Sequence, residues 1–189
     1  VARCGPTGAE LAAARNQLID DVLPADGEPL TVLFSGINPG LYSAATGYHF
    51  ARPGNRFWPA LYRSGFTDRL LSPAEQHLLP GLGLGITNLA SRATARADEL
   101  TDEELRAGHA RLTALAGLHR PAYVAIAGVT AYRTAFGHRK AQIGPQDEPL
   151  GPSRLWVLPN PSGLNAGWPL DRIVAEFTRL REAATDLVA

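Results

Sequence analysis

The chain has 189 residues, of which 45% are hydrophobic and 19% charged, and its formal net charge is zero. That length buries a core without staples, and Cys4, the single cysteine, excludes internal disulfides and cysteine-cluster metal sites. The charge balance argues against a protein that holds nucleic acid by bulk electrostatics alone, and no run approaches the roughly 20 apolar residues that span a bilayer.

Seventeen of the eighteen cations are arginine and only Lys140 is lysine; this suits bidentate phosphate contacts, but GC-rich coding is the plainer cause. No signal peptide is visible, and with a lone cysteine the expected location is the cytoplasm.

In chain order, Leu11, Ala14, Leu18 and Val22 recur at helical spacing and predict an N-terminal helix at about 8–23. The turn at 26–29 leads to a buried strand over 30–34, which stops at Ser35-Gly36. Residues 41–54 read as a long irregular loop and 56–64 as a helix. Ser72-Pro73-Ala74-Glu75 opens another helix, with Ser72 as N-cap and Pro73 at the first helical position. A short strand follows over 83–88. Thr101-Asp102-Glu103-Glu104 is a capping box for a helix to about residue 118.

The run 122–127 is the most strand-like in the chain and leads through Gly128 into a helix ending near Phe136. Residues 137–153 read as loop, 155–158 as the last core strand, and 169–183 as a closing amphipathic helix. Strands alternating with helices imply a parallel sheet covered on both faces.

In such sheets ligands bind outside the carboxyl ends of the strands. Those ends are Ser35-Gly36-Ile37-Asn38, Thr87-Asn88, Ala127-Gly128 and Pro159-Asn160-Pro161-Ser162-Gly163. Two of them carry asparagine beside proline. Taken alone, Asn38-Pro39-Gly40 is a turn signal. An asparagine there can also orient a water and stabilise developing charge, although its amide cannot serve as a strong base.

The segments "GINPG", "GYHFARPGNRFW", "GFTDRLL", "HLLPGLGLGITNL", "DELTDEEL" and "LWVLPNPSGL", in this order, resemble the mismatch-specific uracil-DNA glycosylases, a group that includes thymine-DNA glycosylase. The resemblance covers about 30–175. It implies an α/β/α sandwich around a mainly parallel sheet of four to five strands, a single glycosylase domain over 1–189, and a monofunctional enzyme of base excision repair. Such an enzyme flips uracil, or thymine or ethenocytosine opposite guanine, out of DNA and hydrolyses the N-glycosidic bond.

Carried over by position, the resemblance makes Asn38 the residue that positions the attacking water and Phe50 the platform for the flipped base. Backbone groups of Ile37 and of Tyr48, His49 and Phe50 pair with the base edge, Ser43 passes its C5 side, and Asn160 lies beside the pocket. Ser162, Gly163, Leu164 and Asn165 enter the duplex, with Leu164 as wedge. The implied partner is double-stranded DNA containing uracil or a mismatched or damaged pyrimidine, with single-stranded DNA as a second candidate. No cofactor and no metal are implied, no membrane partner is expected, and a monomer is expected.

Departures from the family pattern bear on selectivity. Where bacterial relatives commonly carry arginine two residues after the wedge, this chain has Ala166, and a frequent lysine is replaced by Asn88. Both losses suggest a weaker grip on DNA or looser reading of the opposite base. Asp68 and Asp98 are the nearest candidate assisting carboxylates, with a solvated surface role as the plainer reading. His77, His109, His119 and His138 lack ligand spacing. Trp58 and Trp156 read as core, and Trp168 as packing or near DNA. The alternative from another class is a damage-binding protein of the same fold with little catalysis. A generic nucleotide-binding protein lacks its GxGxxG or GxxxxGK[ST] loop.

Overall fold

Five runs form strands: β1 Val32–Gly36, β2 Leu84–Asn88, β3 Tyr123–Ala127, β4 Gly144–Leu150 and β5 Ser153–Leu158. Four of them are parallel, with β4 antiparallel to β5, in the order β2-β1-β3-β5-β4. The computed structural model describes residues 5–188; Cys4 lies outside them.

Alternation along the strands builds two cores. Val32 and Phe34 of β1, Ala125 of β3 and Trp156 of β5 face one side, where they meet Phe57, Leu61, Phe177 and Leu180. These come from α3 Phe57–Arg63 and α6 Leu170–Val188. Leu33, Val124, Ile126 and Val157 face the other side, against Leu112, Ala116 and Tyr132 of α4 Asp102–His119 and α5 Val129–Phe136, the fourth and fifth helices. The result is a three-layer α/β/α arrangement around a mostly parallel sheet, as the sequence pattern implied.

Four expectations are corrected. The first helix, α1, covers only Gly8–Ala13, and the chain turns at Asn16 with φ of 63°. The apolar spacing beyond it belongs to an extended stretch: Leu18 is exposed, and Val22 forms an antiparallel bridge to Ile86 that covers the open edge of β2. The stretch after β1 is not all irregular, because Leu41–Thr46 forms the second helix, α2. The segment after Ser72 is a 3-10 helix, Pro73–Leu78, although Glu75 Oε2 reaches back to accept the Ser72 N–H at 2.8 Å and its hydroxyl at 2.9 Å. Finally, part of 137–153 is the edge strand β4. Its Pro145 and Pro149 hid it from a strand reading, yet they flank an irregularity in the pairing with β5, and an edge strand tolerates proline where a central one does not.

Candidate active site

The carboxyl ends of the parallel strands converge on one cavity of about 410 Å³, inside the range of roughly 300–1,000 Å³ typical of small-molecule sites. Ile37 and Asn38 after β1, Asn88 ending β2, Ala127 ending β3 and Asn160 after β5 all line it. Ser43 of α2 and the His49-Phe50 corner supply one wall, and Thr94 to Asp98 the opposite one.

Asn38 is held by its nitrogen. Its Nδ2 donates to the Arg92 carbonyl at 2.9 Å and to Thr94 Oγ1 at 2.7 Å, while the Thr94 hydroxyl donates onward to the Arg96 carbonyl at 2.7 Å. With both amide hydrogens spent, Oδ1 is the end left to accept a hydrogen bond in the cavity. The Arg92 segment is itself fixed, because Arg92 grips Glu104 with Nε at 2.7 Å and Nη2 at 3.0 Å. That guanidinium and the Thr101 N–H hold the Glu104 carboxyl down at about 2.

Phe50 has φ of 53°, an unusual conformation for a bulky residue that turns its ring toward the cavity. One face stacks on Phe57 at 4.1 Å between centroids and 17° between planes. Phe57 is fully buried in the core, so the Phe50 ring has a rigid backing. Among the described residues neither the Phe50 N–H nor the Ile37 N–H has an acceptor, which leaves both free to serve an incoming polar edge. The Ala51 N–H is taken by Ser43 Oγ at 3.2 Å.

His49 is 2% exposed. Its Nε2 lies 2.9 Å from the Asp20 carbonyl, an acceptor only, so Nε2 carries the proton and Nδ1 accepts from Asn88 Nδ2 at 3.4 Å. Burial pushes the imidazole below its ordinary value, against the Asp20 carbonyl and the Asp21 charge. The His49 N–H is occupied by Gln76 Oε1 at 2.8 Å and its carbonyl by Trp58 Nε1 at 3.0 Å. Its backbone is therefore committed to holding the corner. Trp58 and Trp156 are buried, while Trp168 lies partly buried under Arg172 at 4.2 Å.

Tyr48 is exposed and outside the cavity lining, and so is Asp68. Asp98 does line the cavity, but its carboxylate pairs with Arg96. Asn160 lines the wall and uses Oδ1 to accept the Ser162 N–H at 2.9 Å, closing the turn that carries Ser162 and Leu164 to the rim. Leu164 is 75% exposed. Gly163 and Asn165 flank it without lining the cavity; a Cβ on Gly163 would come within 2.6 Å of the Gly54 carbonyl.

One wall residue, Thr94, carried no site signal in the sequence. Asn88 was marked there both as a strand end and as a replaced lysine. Gly36, which ends β1, stays small for a steric reason: a Cβ there would meet Asn88 Oδ1 and, at 3.3 Å, the Phe50 ring. Among the described residues no cluster of three or more histidine, cysteine, aspartate and glutamate side chains is placed to hold a metal ion. Residues 25–186 match the family model described as the uracil DNA glycosylase superfamily.

Proposed function

The chain belongs to the uracil DNA glycosylase superfamily, whose members hydrolyse N-glycosyl bonds in DNA, and on that premise we propose that it is a monofunctional, mismatch-directed uracil-DNA glycosylase. The observation that carries this reading is Asn38, whose amide nitrogen is tied to the wall and whose oxygen is left toward the cavity.

A base inside a duplex is out of reach, and extruding it costs a few kcal/mol. An apolar side chain inserted in the vacated stack offsets part of that, a role for the exposed Leu164. The flipped uracil lies on Phe50, with its oxygens toward the N–H groups of Ile37 and Phe50. The Asn88 amide offers a further polar contact. Asn38 Oδ1 accepts a hydrogen bond from the water that adds to C1′.

The bonding pair of the C1′–N bond leaves with the base, whose negative charge the backbone donors stabilise. The proton released by the water passes to solvent. Since departure of the base builds most of the oxocarbenium character before the water bonds, a positioning amide suffices in place of a strong base. No lysine stands among the wall residues, so a Schiff base and strand cleavage are not expected.

Incubation with U·G duplex, U·A duplex and uracil-containing single strands, all in EDTA, tests the reading. Release of free uracil with an intact abasic strand is expected. Intact uracil in all three substrates ends it.

A further inference from the structure

Arg56 immediately precedes α3 and does not line the cavity, yet its guanidinium is turned wholly onto the rim segment. Nη2 donates to the Ser162 carbonyl and, at 2.8 Å, to the Asn165 carbonyl, and Nη1 donates to the Trp168 carbonyl at 2.5 Å. Its own N–H donates to the Pro161 carbonyl at 2.9 Å. Four carbonyls of one segment, two on each side of Gly163-Leu164, thus converge on a single residue.

Among the described residues no carboxylate lies within ion-pair distance of Arg56. Buried arginines ordinarily pair with acids. Arg56 is half-buried; its guanidinium faces carbonyl dipoles with no acid beside it, and its Nε is buried without a partner. Withdrawing part of a cation from water without an acid partner carries a desolvation cost, and the segment it holds gains order.

We propose that Arg56 is a positioning residue for the wedge: it clamps the 161–168 segment so that Leu164 stands ready at the rim before DNA arrives. This rests on the function proposed above. The physical argument concerns entropy. An exposed leucine on a free loop must be ordered on binding, at roughly 0.5–1.5 kcal/mol per immobilised side chain and more for backbone. A loop already fixed by several charge-assisted bonds avoids that loss. The planar fork matters as much as the charge, since an ammonium is a point donor and cannot span carbonyls set this far apart. Lysine at this position keeps the cation and loses the clamp.

The test measures single-turnover excision from a U·G duplex for the wild type, R56K, L164A and the double variant, together with amide hydrogen exchange across 161–168 and α3. L164A is expected to lose about tenfold or more, the worth of burying one leucine, and R56K roughly threefold to tenfold, the cost of ordering the freed segment. In the L164A background R56K is expected to change the rate by less than about twofold, because the clamp has no wedge left to place. Exchange in 161–168 is expected to quicken in R56K while α3 stays protected.

Wild-type rates in R56K, or losses that multiply in the double variant, would overturn the proposal. So would unchanged exchange in the segment. If the wild type releases no uracil at all, the glycosylase reading fails, and unchanged or quickened exchange then decides the clamp by itself.

Discussion

At the residue scale the site depends on which end of each amide is occupied. Asn38 presents oxygen because Arg92 and Thr94 hold its nitrogen. Asn38→Ala is therefore expected to bind uracil-containing duplex with affinity near that of the wild type and to lose at least about 10²-fold in single-turnover excision, the scale seen when one transition-state contact is deleted. Near-normal turnover would assign the water to another group. His49 makes a second, pH-dependent claim. Its folded value is depressed by burial, so the unfolded chain binds the proton first. Its contribution is fully present above the ordinary histidine value of about 6.5 and is lost as pH falls through the lower folded value. Urea unfolding at neutral pH and in mild acid should show a steeper acid loss for the wild type than for His49→Gln, whose amide can still donate to the Asp20 carbonyl.

At the element scale α4 matters most, because it backs the segment that carries the Arg92 carbonyl. Its start was legible from the capping box: Thr101 and Glu104 bond as that motif requires, with the Thr101 N–H to Glu104 Oε2 at 2.8 Å and the Glu104 N–H to Thr101 Oγ1 at 3.2 Å. Its packing was not legible. Gly108 lies where a Cβ would meet the Leu89 carbonyl oxygen at 2.6 Å, whereas Gly117 on the same helix has nothing within 4 Å. Gly108→Ala is expected to destabilise by roughly 1–3 kcal/mol through overpacking and to slow excision by shifting the Asn38 support. Gly117→Ala is expected to stabilise by up to about 1 kcal/mol through helix propensity. Equal effects of the two in thermal or urea unfolding would show that helix propensity, not contact with the 89–94 segment, governs α4.

At the scale of the whole molecule, a chain of zero net charge has little long-range pull on DNA. The cations on the cavity wall are Arg52 and Arg96, and Arg96 is shared with Asp98. Binding should therefore have a shallow salt dependence, with a slope of log affinity against log salt no steeper than about −2, from two phosphate contacts at roughly 0.9 each. A titration of duplex affinity between low and moderate salt measures it, and a much steeper slope would reveal a basic surface beyond the rim.

The sequence by itself determined the alternation of strands and helices, the two capping motifs and the places where strands end, because these follow from local periodicity and from short side-chain bonds. It also marked Asn38 and Asn160, through proline beside asparagine at strand ends. Tertiary structure alone decided the strand order β2-β1-β3-β5-β4, which brings residues 37, 88, 127 and 160 to one cavity. It alone turned the helical spacing after Ala13 into an extended edge cover, since pairing of Val22 with β2 satisfies backbone groups that a longer helix would leave unmet. The orientation of the Asn38 amide and the grip of Arg56 lie beyond any one-dimensional reading for the same reason. Each is set by partners about 50 to 110 residues away in the chain, and hydrogen-bond complementarity at such separation exists only once the sheet has formed.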